Sequence, residues 1–224
     1  MNPPRIGLVD SGASPCQHAY IDDAAAFVFR DDALWRDSAS VDQLGHGSRV
    51  LDIVRRLSPD ARFYIAQVFH ASPATSALQV AAAIDWLVET GVDLINLSLG
   101  LREPRPTLTE ACRRASESGV ILCAATPACG EPVFPAACPN VWRVTGDARC
   151  AWDEWSCLQT AKADFGAHVA PSQAGGGASM ACAHMSGHIA RLLADDVQRA
   201  PNPMQLRECL QRHARYHKPE LILR

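Results

Sequence analysis

This chain of 224 residues has neither a large net charge nor a membrane-spanning or secretory segment, and each of these absences excludes a class of function. Its formal net charge is only −3, so neither a nucleic acid nor an anionic membrane surface is an expected partner. No apolar run is long enough to cross a bilayer, and no signal peptide opens the chain. The sequence therefore predicts a cytoplasmic protein, and its length fits one well-buried domain over residues 1–224.

The chain also lacks the CxxC spacing of a zinc knuckle, although it contains nine cysteines. Four of them lie in one loop-rich region, Cys129, Cys138, Cys150 and Cys157. An odd count without a signal peptide favours reduced thiols that are mostly buried. We therefore expect no metal and no other cofactor, with a zinc site or one or two disulfides as the less favoured alternatives.

Apolar segments that alternate with helical ones predict the fold class. The predicted strands are 6–10, 26–29, 62–68, 94–98, 120–125, 141–144 and 168–170. One helix is predicted directly after residue 46, and four others over 76–89, 108–118, 179–194 and 203–214. The polar segment 31–44 is expected to be a surface loop. This pattern indicates an α/β protein with a doubly wound, mostly parallel sheet and helices on both faces. Ligands bind such sheets at the carboxyl ends of the strands.

Three side chains with useful chemistry stand at the ends of predicted elements. Asp10 ends a buried strand, His46 opens a helix, and Ser179 lies in the glycine-rich start of another helix. Each alone has an ordinary explanation as a turn aspartate or a helix cap. Together they supply an acid, a base and a nucleophile in the order Asp, His, Ser.

The residues around these three side chains resemble the catalytic motifs of the subtilisin-like serine peptidases, which share this order. The matching segments are Asp10-Ser11-Gly12, Gly45-His46-Gly47-Ser48 and Gly177-Ala178-Ser179-Met180-Ala181. A fourth segment, Leu94 to Gly100, resembles the strand that walls the family's substrate cleft. The resemblance extends from Arg5 to about Arg212 and implies the subtilisin-like fold.

The resemblance also implies the catalytic roles. Ser179 would attack the scissile carbonyl, and His46 would take its proton and later protonate the leaving amine. Asp10 would hold the His46 tautomer and stabilise its imidazolium. His184 is the best alternative base because it lies on the Ser179 helix, but the matching histidine of the family is structural, so we expect the same here.

The cleft walls can be inferred in part from the same family. Ser98, Leu99 and Gly100 resemble the segment that pairs with extended substrate and borders the S1 pocket. Leu101 stands where the family normally has glycine, so we expect a narrowed pocket that favours a small or unusual side chain. Residues 72–75 take the place of the opposite edge strand, where Pro73 has no N–H to donate to substrate.

The chain departs from the family at the oxyanion hole. The family continues its apolar strand into Ala-Ala-Gly-Asn-Glu-Gly, and Ala128 falls at the asparagine position here. In subtilisin, loss of that amide costs about 10²–10³ in kcat. The backbone N–H of Ser179 would remain, and Thr126 and Cys129 are the nearest residues that could supply another donor.

Together these features predict a narrow-specificity serine endopeptidase that cleaves a dedicated peptide or protein substrate. No segment matches an inhibitory prodomain or the family's calcium-binding arm and loop, so we expect no structural calcium. We expect a chain trimmed in this way to rely on an activating partner subunit or on a peptide substrate to complete its cleft. Two alternatives stay open: a catalytically impaired subtilase that holds a peptide by β-augmentation, and an esterase or acyl transferase with the same triad.

Overall fold

The computed structural model describes residues 3–170, 177–195 and 202–219, so Gly175 and Gly176 of the glycine-rich turn lie outside the described residues. The strands are β1 (Arg5–Asp10), β2 (Ile21–Arg30), β3 (Ala33–Ser38), β4 (Arg62–Gln67), β5 (Leu94–Leu97), β6 (Ile121–Ala125), β7 (Trp142–Gly146), β8 (Trp155–Cys157), β9 (Phe165–Ala167) and β10 (Tyr216–His217). The helices are α1 (His46–Leu57), α2 (Ala77–Thr90), α3 (Pro106–Glu117), α4 (Gly177–Asp195) and α5 (Pro203–His213), and a 3-10 helix covers Pro15–Tyr20.

The strands form one sheet in the order β10-β8-β9-β7-β6-β5-β1-β4-β2-β3. Most neighbours are parallel, and the antiparallel pairs among them are β2 with β3 and β8 with β9. Apolar side chains of α1, α4 and α5 pack on one face of the sheet, and those of α2 and α3 pack on the other. The predicted doubly wound α/β sheet is thereby confirmed, with β1 between β4 and β5 near its centre.

The middle of helix α4 is buried on all sides, because every residue from Met180 to Ala190 lies in the interior. It packs between the central strands and α1. A helix that is enclosed in this way carries few polar side chains unless they have a particular role. Here they include His184, Ser186 and His188, at 1%, 0% and 0% exposure.

The prediction of a surface loop over 31–44 is wrong for its central part. Residues Ala33–Ser38 form β3, which pairs with a β2 that begins at Ile21 rather than at residue 26. Strand β3 lies at the outer edge of the sheet, where all of its residues are half-buried or exposed. Edge strands tolerate charged residues that would be costly in a central strand, so the polarity of this segment did not exclude a strand.

The strand predicted at 168–170 is displaced. The structure places β9 at Phe165–Ala167, and His168 leaves the sheet to make side-chain contacts. Its Nδ1 lies 2.9 Å from the Cys150 carbonyl oxygen, and its ring packs against Trp152. The short strands β8 and β10 were not predicted, since two or three residues give no readable alternation.

No helix among residues 3–170, 177–195 and 202–219 is both long and apolar enough to span a membrane.

Candidate active site

The side chains of Asp10 and His46 are in direct contact at the carboxyl end of β1. His46 Nδ1 lies 2.8 Å from Asp10 Oδ1 and 3.0 Å from Oδ2. The backbone N–H of Ser11 donates to Asp10 Oδ1 at 2.7 Å, and the carboxylate is 1% exposed. A buried, hydrogen-bonded carboxylate fixes the imidazole ring and leaves Nε2 as the nitrogen available for proton transfer.

The pKa of His46 reflects two opposing influences. Burial of the ring, the largest of them, lowers the pKa, whereas the hydrogen bond and the charge of Asp10 raise it. The more distant charges of Arg49 and Asp42 act in opposite directions, and the resulting pKa lies above the ordinary value of 6.5. The neighbouring carboxylate therefore makes His46 a stronger base than burial alone would allow.

Asp42 positions His46 by capping the start of α1, a role that was not predicted. Its Oδ1 accepts the N–H groups of Leu44 and Gly45 at 3.0 and 2.8 Å. Its Oδ2 accepts the N–H and the hydroxyl of Ser48 at 2.8 and 2.7 Å. An aspartate a few residues before a helix that lacks a capping side chain at Gly45 was the available signal.

A close backbone approach locks α1 against the turn after β1. A Cβ added to Gly47 would lie 2.3 Å from the carbonyl oxygen of Gly12, which itself has φ of +108°. The N–H of Gly47 donates to the Ser11 hydroxyl at 2.9 Å. Only glycine fits at position 47 without moving α1, and His46 is the preceding residue.

Replacing Gly47 with alanine is expected to displace His46 from Asp10. Misplacement of a catalytic group by about 1 Å costs roughly 10²-fold in rate, so labelling of Ser179 by a fluorophosphonate should slow at least that much. The control is Gly119→Ala, where an added Cβ meets no atom within 4 Å but alanine must adopt a φ of +83°. This strain should lower the melting temperature, whereas the labelling rate per folded molecule should stay unchanged. Wild-type labelling of Gly47→Ala would show that the helix start tolerates the shift.

Ser179 lies in the first turn of α4 and is partly exposed. Its hydroxyl donates to the carbonyl oxygen of Ser98 at 3.0 Å, and the Ser98 hydroxyl donates back to the Ser179 carbonyl oxygen at 2.9 Å. Because a hydroxyl carries one proton, Ser179 does not donate to His46 in this state. Ser98 follows β5, whose parallel neighbour β1 ends at Asp10, so the serine pair lies beside the Asp10–His46 pair.

A cleft of about 400 Å³ opens at this edge of the sheet. It is lined by Asp10, Ser11, Leu44, His46, Phe69, Pro73, Ala74, Thr75, Ser98, Leu99, Gly100 and Leu101. The four predicted substrate-binding residues, 98 to 101, are thus all in its wall. Leu44 and Phe69 were not predicted, since isolated apolar residues at the ends of elements resemble ordinary core positions.

The wall beyond Gly100 is closed by a neighbouring segment. Leu101 donates to the Phe134 carbonyl oxygen at 2.7 Å and accepts from the Phe134 N–H at 2.8 Å. Val133 packs so closely that a Cβ on Gly100 would lie 3.1 Å from its Cβ. On the opposite wall, residues 72–75 do not form a strand. The backbone available for pairing with an extended peptide is therefore short.

The residues predicted for the oxyanion region divide into buried and exposed positions. Thr126 is 6% exposed, and its N–H donates to the Val144 carbonyl oxygen at 2.8 Å, which removes that N–H as an oxyanion donor. Ala128 and Cys129 lie exposed in the loop that follows. The N–H of Ser179 lies in the first turn of α4, where backbone donors have no partner within the helix.

All nine cysteines lie within the described residues, and none forms a disulfide. Cys182, one turn after Ser179, is fully buried and its Sγ donates to the Cys123 carbonyl oxygen at 3.3 Å. In the part of the chain that the structure describes, no group of three or more His, Cys, Asp or Glu side chains is arranged to hold a metal.

Several curated proteins are similar in sequence. The minor extracellular protease Epr of Bacillus subtilis (strain 168) is 29% identical over 153 residues, which cover 63% of this chain and 23% of Epr. Subtilisin Savinase of Lederbergia lenta is 28% identical over 62% of this chain and 54% of its own. The subtilisin-like protease het-Q2 of Podospora anserina is 34% identical over 60% and 38%. The aligned region thus spans about a quarter to a half of these relatives.

Solved structures match along nearly the whole chain. The prenylagaramide maturation protease PagA superposes with a TM-score of 0.65 at 22% identity, covering 94% of this chain and 83% of PagA. A lanthipeptide protease gives 0.66 at 15% identity, covering 92% and 78%. At these identities the likeness is one of fold. The sequence model of the subtilase family matches residues 4–126, more than half of the chain, and the chain therefore belongs to the subtilase family.

Proposed function

We propose that the chain is a narrow-specificity serine endopeptidase that cleaves a dedicated peptide or protein substrate through Asp10, His46 and Ser179. The observation that carries this proposal is the contact of His46 Nδ1 with both oxygens of a buried Asp10, at 2.8 and 3.0 Å. This contact fixes His46 in the wall of the cleft. Ser98 lies in the same wall, and the Ser179 hydroxyl donates a hydrogen bond to its carbonyl oxygen.

Acylation begins when the Ser179 hydroxyl turns from the Ser98 carbonyl oxygen towards His46 Nε2. As the Ser179 oxygen bonds to the scissile carbonyl carbon, its proton passes to His46, and Asp10 stabilises the imidazolium. The Ser179 N–H at the start of α4 donates to the developing oxyanion. His46 then protonates the leaving amine, and a water activated by His46 hydrolyses the acyl-enzyme.

The shape of the cleft supports narrow specificity. The backbone N–H and carbonyl oxygen of Leu101 are hydrogen-bonded to Phe134 and are not free to bind substrate. On the other wall, residues 72–75 do not form a strand. A substrate with few backbone contacts must be selected by its side chains or by a second binding surface, such as an activating partner subunit. Two proteins with this fold are named as a maturation protease and a lanthipeptide protease, which fits a peptide-processing role.

The proposal includes a cytoplasmic location. Nine unpaired cysteines, six of them buried, fit a compartment that keeps thiols reduced.

The experiment that tests the proposal is labelling with a fluorophosphonate, read by intact mass on the folded protein. The wild type should gain one adduct, Ser179→Ala none, and the matched control Ser116→Ala one adduct at the wild-type rate. Ser116 lies on α3, and its buried hydroxyl has no hydrogen-bond partner. A folded wild type that is not labelled would contradict the proposal.

The second candidate is a peptide-binding subtilase that no longer cleaves. Two observations favour it. Ala128 has no side-chain amide that could donate to an oxyanion, and the Ser179 hydroxyl is hydrogen-bonded to Ser98 rather than to His46. This candidate predicts an unlabelled wild type that still binds an extended peptide along residues 98–100. Hydrolysis of esters without hydrolysis of peptides in a substrate panel would instead indicate an esterase.

A further inference from the structure

A polar side chain lies in the middle of the central sheet without any role in the triad. Asn96 is the third residue of β5, pairs with Leu8 on one side and Cys123 on the other, and is 0% exposed. Its neighbours in β5 are all apolar. A buried amide is costly unless it is hydrogen-bonded, so the partners of Asn96 indicate why it is there.

The partners of Asn96 connect the interior of α4 to the nucleophile. The Ser186 hydroxyl donates to Asn96 Oδ1 at 2.9 Å, and Asn96 Nδ2 donates to the Ser98 hydroxyl oxygen at 2.9 Å. The Ser98 hydroxyl donates to the Ser179 carbonyl oxygen at 2.9 Å. Ser186 lies two helical turns after Ser179, so both serines face β5 from the same side of α4.

The direction of this chain of hydrogen bonds is determined at each step. The single proton of Ser98 is given to Ser179, so the Ser98 oxygen must accept from Asn96. Asn96 can present its NH₂ to Ser98 only while its oxygen is turned to Ser186. Without the Ser186 hydroxyl, the amide can flip and take the Ser98 proton, which would release the Ser179 backbone.

We propose that Ser186, Asn96 and Ser98 are positioning residues that hold the backbone of Ser179, and with it the nucleophile and its oxyanion-binding N–H, through this directed chain of hydrogen bonds. The inference rests on the proposed peptidase function. It assigns a purpose to a polar residue in the buried part of α4, Ser186, which contacts neither His46 nor the cleft.

The test is Ser186→Ala in the full chain, with the fluorophosphonate labelling rate measured against pH. The plateau rate should fall about 5- to 10-fold, the equivalent of one lost hydrogen bond. The midpoint pH should not move, since it reports His46. Ser98→Ala should have a similar effect, and the double variant should be little slower than either single one. Ser116→Ala, which removes a hydroxyl outside the chain of bonds, should label as the wild type does.

A merely structural role would give a different result: Ser186→Ala would lower the melting temperature and the folded fraction, while the rate per folded molecule stayed at the wild-type value. That result, or additive effects at 98 and 186, would overturn the inference. Urea unfolding of the wild type, Ser98→Ala, Ser186→Ala and their double variant tests the connection without activity. A coupling factor above about threefold in the unfolding equilibrium constant is expected, and its absence would also overturn the inference. An unlabelled wild type that shows this coupling would contradict the proposed function alone.

Discussion

Asp10→Asn is expected to slow fluorophosphonate labelling of Ser179 by about 10³- to 10⁴-fold at neutral pH. The carboxylate accepts from His46 Nδ1 through both oxygens, at 2.8 and 3.0 Å. An amide of the same shape can present its NH₂ to Nδ1 and so favour the tautomer with its proton on Nε2. A histidine in that tautomer cannot accept the Ser179 proton.

The pH dependence of labelling should change with it. In the proposed mechanism neutral His46 is the base, so the wild-type rate should rise with pH through a midpoint above 6.5, because the pKa of His46 is raised. Asp10→Asn removes the hydrogen bond and the charge that raise this pKa and retains the burial that lowers it. The small residual rate should therefore have its midpoint at a lower pH than the wild type.

The control for this substitution is Asp52→Asn on the same helix as His46. Asp52 Oδ1 accepts from Gln17 Nε2 at 2.7 Å, away from the cleft lining. Its labelling rate and its midpoint should match those of the wild type. If Asp10→Asn were labelled within tenfold of the wild-type rate, the proposed catalytic role of Asp10 would be wrong.

Acidification from pH 7.5 to 5 is expected to destabilise the fold by roughly 4 kcal/mol through two histidines of α4. Burial, the largest cause, lowers the pKa of His184 to about 4 and that of His188 to about 3. The nearby cations act in the same direction, Arg56 on His184 and Arg191 on His188. The Nδ1 of His184 and both ring nitrogens of His188 have no hydrogen-bond partner.

The sign follows from proton uptake. Between pH 6.5 and 4 an unfolded histidine binds a proton that the buried one does not, so stability falls as the pH falls. At pH 5 each histidine costs roughly 2 kcal/mol, and above pH 6.5 the cost disappears. For a chain of this size the two together should lower the melting temperature by on the order of 10 °C.

His188→Phe should remove about half of this pH dependence, because phenylalanine binds no proton. The substitution preserves the packing of a ring on Trp155, whose centroid lies 4.8 Å from that of His188. The measurement is the melting temperature at pH 7.5 and pH 5 for the wild type and the variant, with Leu as a second replacement. His18→Phe, at an exposed site in the 3-10 helix, is the control. If both His188 variants lost as much stability as the wild type between the two pH values, His188 would not be the source.

The sequence was most informative where chemistry and local structure coincide. Strand β1 ends at Asp10 and α1 begins at His46, as their glycine-flanked motifs predicted, and the α/β class followed from the apolar strands. The hydrogen bond between Ser179 and Ser98 could not be predicted, because it joins residues 81 positions apart and depends on how α4 sits over β5. The contribution of Asp42 was missed for a related reason: its capping bonds depend on the conformation of an irregular loop.

The edge strand β3 and the pairing in the cleft wall could not be predicted from the sequence pattern either. The charges of β3 are compatible with a strand only at the border of a sheet, and position in a sheet is a property of the whole fold. Phe134 and Leu101 are 33 residues apart in the chain, so the sequence around either residue does not indicate that they pair.

The enclosure of α4 has a consequence for how Ser179 can lose its position. A segment surrounded on every side, as Met180 to Ala190 is, has no water-facing flank from which to fray, so its amides open only when the domain as a whole opens. Ser179 is anchored to this segment rather than to a surface loop. Loss of fluorophosphonate labelling at Ser179 and global unfolding, on heating or in urea, should therefore be a single event.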